Sequence, residues 1–197
     1  MKRSSSVPDP IARFAQWFAV AARSGEAMPE AMVVATSTRD GRPSARFVLL
    51  KQVDARGFVF FTDGRSRKAE ELRNNPLAAA VVYWDRIGKQ VRVEGRVEVV
   101  PVPESDAYWE TRPRPSRLAA ASSHQSATLP SRGQLLDAVR RLRRSLSGRP
   151  VPRPTTWQGY RIVPERIEFW SRRAHRLHDR ELFVKVRDGW KCRLLQP

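Results

Sequence analysis

The sequence predicts a mainly β fold of the α+β class, an antiparallel barrel with a few flanking helices. Three observations carry this. Residues 89–100 alternate Val91, Val93, Gly95, Val97 and Val99 against charged neighbours, the period-two pattern of a half-buried antiparallel strand. Apolar runs of strand length recur along the chain, separated by polar turns such as Arg39-Asp40-Gly41-Arg42 and by short helical pieces. The amphipathic helical pattern is clearest at the start of the chain and at 133–146, so helices flank the strands rather than alternate with them.

Residues 1–10, with three serines in a row and two prolines, read as a loose tail, and 11–197 as one domain. Pro10 opens a helix in which Ile11, Phe14, Phe18 and Ala21 recur at helical spacing, with Trp17 beside them, and Gly25 ends it. These aromatics read as core. Residues 31–37 form a buried apolar strand and 44–53 a second one. Residues 54–57 turn the chain into a strand at 58–62, and 62–66 is a polar loop. Ser66 reads as the N-cap of a helix at 67–74, stopped by Asn75-Pro76. Strands are expected at 77–84 and 89–100, and a helix at 103–111. Residues 112–131 mix loops with short helical pieces. Residues 133–146 are amphipathic through Leu135, Leu136, Val139 and Leu142, and 149–156 is a proline-rich connector. Strands at 157–170, 182–186 and 190–195 close the chain, the last two joined by an Asp188-Gly189 turn.

At 197 residues with 41% hydrophobic content, the chain is long enough to bury a core. No apolar run reaches membrane-spanning length, and Lys2 and Arg3 precede no apolar stretch, so neither a membrane partner nor a signal peptide is expected. Cys192 is the single cysteine, which excludes an internal disulfide and a thiolate zinc site. The three histidines, His124, His175 and His178, lack helical pair spacing, so no metal is expected. A cytoplasmic location follows from these readings. The net charge of +17 raises a nucleic-acid partner. The arginines spread along the chain, with one dense stretch from Arg140 to Arg144, and RNA-sheet and zinc-finger signatures are lacking. No nucleic-acid partner is therefore expected, and a small anionic ligand is the better reading.

Four groups of residues carry that chemistry. The densest is His175-Arg176-Leu177-His178-Asp179-Arg180, close after Glu168-Phe169-Trp170. Strand alternation would put Arg176, His178 and Arg180 on one face. The start of the helix at Ser66-Arg67-Lys68 offers free backbone N–H groups, a hydroxyl and two charges, a phosphate cradle. Arg46 and Lys51 lie five apart in the second strand and would face opposite ways unless that strand bends near its end. Tyr108, Arg112 and Ser116 recur every four residues and could converge as a phosphate clamp, although Pro113 and Pro115 disfavour a regular helix. Taken singly, each group also fits a structural role: a cap, an edge charge, a packed tyrosine.

Together these residues resemble the pyridoxine/pyridoxamine 5'-phosphate oxidase family from about residue 10 to residue 197. The matching stretches are 31–36, 46–51, Ser66-Arg67-Lys68-Ala69, Asn74-Asn75-Pro76, Arg112-Pro113-Arg114, Gln125-Ser126, Ile167-Glu168-Phe169-Trp170 and 175–180. The resemblance implies an FMN-binding split β-barrel that works as a homodimer, with two flavin sites between subunits. It assigns FMN to residues 46–51 (Arg46, Phe47, Val48, Leu49 and Lys51 among them), Phe61, Thr62, Arg67, Lys68, Gln90, Gln125, Ser126, Trp170 and Arg180, with Ser66 adding its hydroxyl to the cradle. It assigns the substrate phosphate to Lys51, Tyr108, Arg112 and Ser116, and the substrate ring and reacting carbon to Arg176 and His178. The implied reaction oxidises pyridoxamine or pyridoxine 5'-phosphate to pyridoxal 5'-phosphate, with O2 as acceptor and hydrogen peroxide as by-product. The sequence departs from the pattern at Phe61, where many members have Tyr, at Ala127 and at Pro115. Residues 1–9 hold no Tyr for the segment that covers the substrate in many members, so coverage of the substrate is expected to differ.

Two rival readings stand beside this one. A same-fold flavin oxidase of secondary metabolism, such as the phenazine-pathway relatives, would suit Tyr83-Trp84, the C-terminal stretches Gly189-Trp190-Lys191 and Leu194-Leu195-Gln196-Pro197, and the short segment ahead of the first helix. A phosphate-free substrate, however, has no need of Lys51, Tyr108, Arg112 and Ser116 together. A non-catalytic basic nucleic-acid module would be colourless when purified, whereas a flavin oxidase would be yellow.

Overall fold

A computed structural model describes residues 9–197. The expected cover over the substrate, and the tail up to residue 8, lie outside the described residues. Asp9 and Pro10 belong to the start of α1 (Pro10–Arg23). The Asp9 carboxylate accepts from the Ile11 N–H at 3.0 Å, a cap that contributes about 1 kcal/mol. Phe14 and Ala21 face the core, and the Phe14 ring meets Phe58 edge-on at 4.8 Å.

The strands are β1 (Ala31–Ser37), β2 (Pro43–Leu49), β3 (Gln52–Asp54), β4 (Gly57–Asp63), β5 (Leu77–Trp84), β6 (Lys89–Val99), β7 (Trp157–Ser171), β8 (Asp179–Val186) and β9 (Gly189–Leu194). They form one antiparallel sheet in the order β2-β1-β5-β6-β7-β4-β3, with β8 pairing β7 and β9 pairing β8. The two ends of that order, β2 and β3, are consecutive in the chain. The sheet therefore curls into a half-barrel closed by the covalent link at Leu50–Lys51. The expected single strand at 44–53 is corrected here. The Leu50 N–H donates to Glu30 O beside β1, while the Lys51 N–H donates to Val59 O of β4. The backbone changes partners between these two residues, and one strand cannot serve both edges.

Gly95 sits at the bulge in the pairing of β6 with β7, and a Cβ there would lie 2.0 Å from Val163 O. The main core lies inside the curl, with Met32, Val34, Phe58, Phe60, Trp84, Val91, Ile162, Ile167 and Phe169 all but inaccessible. The run at 31–37 alternates rather than being buried throughout, because only one face of β1 looks inward.

The helices α2 (Arg67–Asn74), α3 (Val102–Thr111), α4 (Arg114–Ser122) and α5 (Arg132–Leu146) flank the sheet. Ser66 is the N-cap residue of α2 by position, but its side chain makes no capping bond. The last three helices cover a smaller cluster of Trp109, Leu118, Val151 and Trp157. Helix α5 lends Val139, Leu142 and Leu146 to that cluster and buries none of its residues fully. The hairpin between β8 and β9 turns at Arg187-Asp188, because Gly189 already pairs with Val186. The strand expected at 182–186 starts earlier, at Asp179, since Arg180 pairs with Trp170.

Candidate functional site

The break at Leu50–Lys51 creates the site. A regular strand would point Arg46 and Lys51 to opposite faces; with β2 ending at Leu49, both line one cavity of about 860 Å³. That volume suits a nucleotide-sized ligand. Its walls come from β2 (Arg46, Phe47, Val48, Leu49), the end of β4 (Phe61, Thr62), the start of α2 (Arg67, Lys68), the α3–α4 corner (Tyr108, Arg112, Ser116) and the following loop (Gln125, Ser126). Helix α3 ends at Thr111 and α4 begins at Arg114, so the prolines break the helix as expected. The corner they make still brings Tyr108, Arg112 and Ser116 to the same cavity.

Lys68 is the most buried cation of this wall. It is buried, and its ammonium donates to Thr62 Oγ1 at 2.9 Å, Gln125 Oε1 at 3.0 Å and Ser66 Oγ at 3.3 Å. All three acceptors are neutral. Burial pushes the Lys68 pKa down to about 8, Arg46 pushes the same way, and Asp63 and Glu71 oppose them. Ser66 thus lies beneath the cavity wall as a support for Lys68. Ser126, held at φ 74°, accepts from the Arg67 backbone N–H at 3.2 Å. That bond ties the 125–126 loop to the helix start.

A second part of the cavity is aromatic. Phe61 stacks on Tyr108 at 4.2 Å and on Trp157 at 5.1 Å. The Arg112 guanidinium lies over Trp157 at 4.8 Å and Trp109 at 5.3 Å. Burial pushes the pKa of Arg112 down and that of Tyr108 up. A half-desolvated guanidinium beside a neutral phenol is poised for an anion that restores its charge balance. Gly159 sets the depth of this floor, since a Cβ would meet Phe61 Cε1 at 2.7 Å and Val100 Cγ2 at 2.5 Å.

Glu71 was not singled out in the sequence. Its buried carboxylate accepts from the hydroxyls of Thr36 and Ser44 (2.6 Å for Ser44), from Arg67 Nε at 2.8 Å and from Arg46 Nη2 at 3.4 Å. Burial alone would raise its pKa. The Ser44 and Thr36 hydroxyls and Arg67 reverse the sign and hold it at about 2. The available signal was the four-residue spacing of Arg67 and Glu71.

Apart from Leu50 and Ser66, which are buried, five of the expected residues stand outside this cavity: Gln90, Trp170, Arg176, His178 and Arg180. Gln90, Trp170 and Arg180 form a row across β6, β7 and β8, each paired with the next. The His178 ring lies 4.5 Å from that of Trp170, and Arg180 Nε donates to Glu168 at 2.8 Å. The expected alternation of Arg176, His178 and Arg180 is corrected. Residues Ala174–Arg176 form a 3-10 turn, with His175 at φ 55° and Arg176 at φ 62°, before β8 begins. Left-handed backbone at two non-glycine residues is costly and recurs where function holds a loop. Arg176 is exposed on that turn. His178 Nδ1 accepts from the Arg173 N–H at 3.1 Å, so the neutral ring carries its proton on Nε2.

Comparison with known proteins bears on both parts. A family profile described as pyridoxamine 5'-phosphate oxidase matches residues 20–145. A second, described as the pyridoxine 5'-phosphate oxidase C-terminal dimerisation region, matches residues 157–197, which hold the row just described apart from Gln90. The chain is 52% identical over 190 residues to a pyridoxine/pyridoxamine 5'-phosphate oxidase of Rubrobacter xylanophilus, covering 96% of this chain and 88% of that one. Among solved structures, PhzG from Burkholderia lata, in complex with tetrahydrophenazine-1-carboxylic acid, superposes with TM-score 0.92 at 33% identity, over 98% of this chain and 95% of that one. A pyridoxamine 5'-phosphate oxidase-related, FMN-binding protein of Nostoc punctiforme gives TM-score 0.77 at 17% identity, over 98% and 100%, a likeness of fold.

Proposed function

Because the chain belongs to the pyridoxamine 5'-phosphate oxidase family, we propose that it is an FMN-dependent oxidase. It converts pyridoxamine 5'-phosphate, pyridoxine 5'-phosphate or both to pyridoxal 5'-phosphate, with O2 as acceptor and hydrogen peroxide released. The observation that carries this reading is one cavity lined by two anion-gripping sets, Arg46, Arg67, Lys68, Gln125 and Ser126 on one hand and Lys51, Tyr108, Arg112 and Ser116 on the other. Two anions, a flavin phosphate and a substrate phosphate, give each set a purpose.

The residues present fit FMN. Among the described residues, Lys68 is a buried ammonium bonded to neutral oxygens alone, and a phosphate would supply the missing counter-charge. Bound there, FMN would supply the two-electron oxidation, an isoalloxazine ring taking hydride from the substrate carbon and passing electrons to O2. The chain's own work is binding and orientation. Lys51 and Arg112 hold the substrate phosphate, with Tyr108 and Ser116 donating hydroxyl hydrogen bonds, which places binding energy far from the reacting carbon. Phe61 and Trp157 keep water from the clamp. Arg176 and His178 position the pyridine ring, and His178 offers Nε2–H as a donor to it. These two stand outside the cavity of their own chain, together with Gln90, Trp170 and Arg180. In a homodimer they complete the site of the partner subunit, which agrees with the dimerisation profile over 157–197.

The likeness to PhzG favours a second reading, oxidation of a phenazine precursor on the same fold. The clamp weighs against it, because a carboxylate substrate would leave Lys51 and Arg112 over-supplied with charge. The test is direct. The purified protein should be yellow and should release peroxide with pyridoxamine 5'-phosphate. A colourless protein that takes up no FMN would refute the flavin assignment, and peroxide release with a tetrahydrophenazine carboxylate alone would favour the second reading.

A further inference from the structure

We propose that Glu71 is a positioning residue that aims Arg67 into the anion cavity and brings the charge of the cradle to that of a phosphate dianion. The inference rests on the assignment of a phosphate to this wall and goes beyond it. The carboxylate divides its work. Oε2 takes the hydroxyls of Thr36 and Ser44 together with Arg46 Nη2, while Oε1 takes Arg67 Nε. Holding Arg67 by Nε leaves both of its Nη groups free for the cavity that Arg67 lines. Its backbone N–H is engaged separately by Ser126. Arg67 is otherwise a solvent-exposed side chain that would sample many rotamers, so this single bond fixes its direction.

The charges support the same role. Arg46, Arg67 and Lys68 bring three positive charges to the wall, and the buried Glu71 removes one. Asp63, also on the wall, is neutralised by Arg65 at 2.6 Å. The balance matches a phosphate monoester dianion. Without Glu71, three cations would crowd one pocket and Lys68 would be harder still to keep protonated.

Glu71→Gln separates positioning from simple packing. The amide can keep the two hydroxyls and Arg46 on its one oxygen, but then turns an NH2 group toward Arg67 Nε, donor against donor. Arg67 is released while the fold keeps its volume. The experiment is a double-mutant cycle with Glu71→Gln, Arg67→Ala and the double variant. FMN dissociation constants would come from flavin fluorescence quenching, and inorganic phosphate binding from 31P line broadening on the same proteins. If Glu71 acts through Arg67, each single variant weakens FMN about tenfold, and the double variant is no weaker than Arg67→Ala alone. Independent losses that multiply to about a hundredfold, or a Glu71→Gln variant that binds as wild type, overturn the proposal. A wild-type protein that binds phosphate but no FMN instead sinks the cofactor reading, and the phosphate arm still decides the role of Glu71. Thermal melts identify a variant that has lost its fold. In that case Glu71→Asp, which keeps the charge but draws it back from Nε, carries the cycle in its place.

Discussion

If the cavity takes a phosphate ligand as proposed, Lys68 makes its affinity depend on pH in a window where the phosphate does not titrate. A phosphate monoester has its second pKa near ~6, so it is a dianion from about pH 7 upward. Lys68, with its pKa lowered to about 8 mainly by burial and further by Arg46, loses its proton in the same range. About nine-tenths of it is charged at pH 7 and about one-tenth at pH 9. If the dianion binds the ammonium form, apparent FMN affinity falls about tenfold between these pH values. Stability of the ligand-free protein moves the other way. A lysine whose folded pKa lies below its unfolded value binds its proton more weakly when folded. Its contribution to stability is therefore fully present above the unfolded value and is lost as pH falls through about 8. Hence the ligand-free melting temperature gains from Lys68 as pH rises from 8 towards 10, while the FMN complex loses affinity. Asp63 and Glu71 raise the Lys68 pKa, so they limit the shift without reversing it. Quenching titrations at constant ionic strength from pH 7 to 9, repeated on Lys68→Met, would measure this. A flat wild-type profile, or the same slope in Lys68→Met, would refute the reasoning.

Three further outcomes are expected. Gly159→Ala should displace Phe61 or Val100, costing about 1–3 kcal/mol of stability and raising KM for the phosphorylated substrate, as measured by chemical denaturation and steady-state peroxide assays. Arg176→Ala should lower turnover with FMN retained, whereas Arg67→Ala should weaken FMN first; normal turnover of pyridoxamine 5'-phosphate by Arg176→Ala would show the role to be misassigned. Glu71, held at about 2, contributes stability that is present above its unfolded value and lost as pH falls through about 2, so Glu71→Gln should flatten that part of an acid-unfolding curve.

The fold was legible where periodicity was strong and local. The bounds of β1, β5 and α2 follow from apolar alternation, apolar runs and the Asn75-Pro76 stop. The break at 50–51 was hidden because Val48-Leu49-Leu50-Lys51-Gln52-Val53 holds no glycine or proline. What ends the strand is a change of hydrogen-bond partner from one sheet edge to the other, a long-range event with no local residue signature. The same event brings Arg46 and Lys51 together, so the part of the site that strand alternation argued against is the part the topology supplies. Glu71 stayed hidden for a related reason. An exposed arginine and a glutamate four residues on look like a solvated helix pair, and only the approach of β1 and β2 buries the carboxylate.

The region 170–180 shows how far one chain's geometry carries the function. Its cationic density was plain in the sequence, but its conformation was not, because the left-handed residues His175 and Arg176 are not glycines. The price of that backbone, of order 1–3 kcal/mol per residue, is not explained by packing, since His175 and Arg176 are exposed. Arg180 is also fixed from below by the buried Glu168, which Arg92 joins at 3.3 Å. This repeats the arrangement at the cavity, where buried Glu71 holds Arg46 and Arg67. Two arginine groups, each set on a buried carboxylate, stand on separate parts of one half-barrel. Cations fixed in this way gain most when a ligand spans both groups. Under the proposed function, a homodimer that faces the 170–180 region of one protomer to the cavity of the other would let one flavin and one substrate do so. Mixing Arg67→Ala chains with Arg176→Ala chains tests this. If each site draws on both chains, a heterodimer holds one site with both lesions and one with neither, so activity should return to about half of wild type per heterodimer. No recovery on mixing, with subunit exchange verified by mass, would mean that each chain builds its site alone.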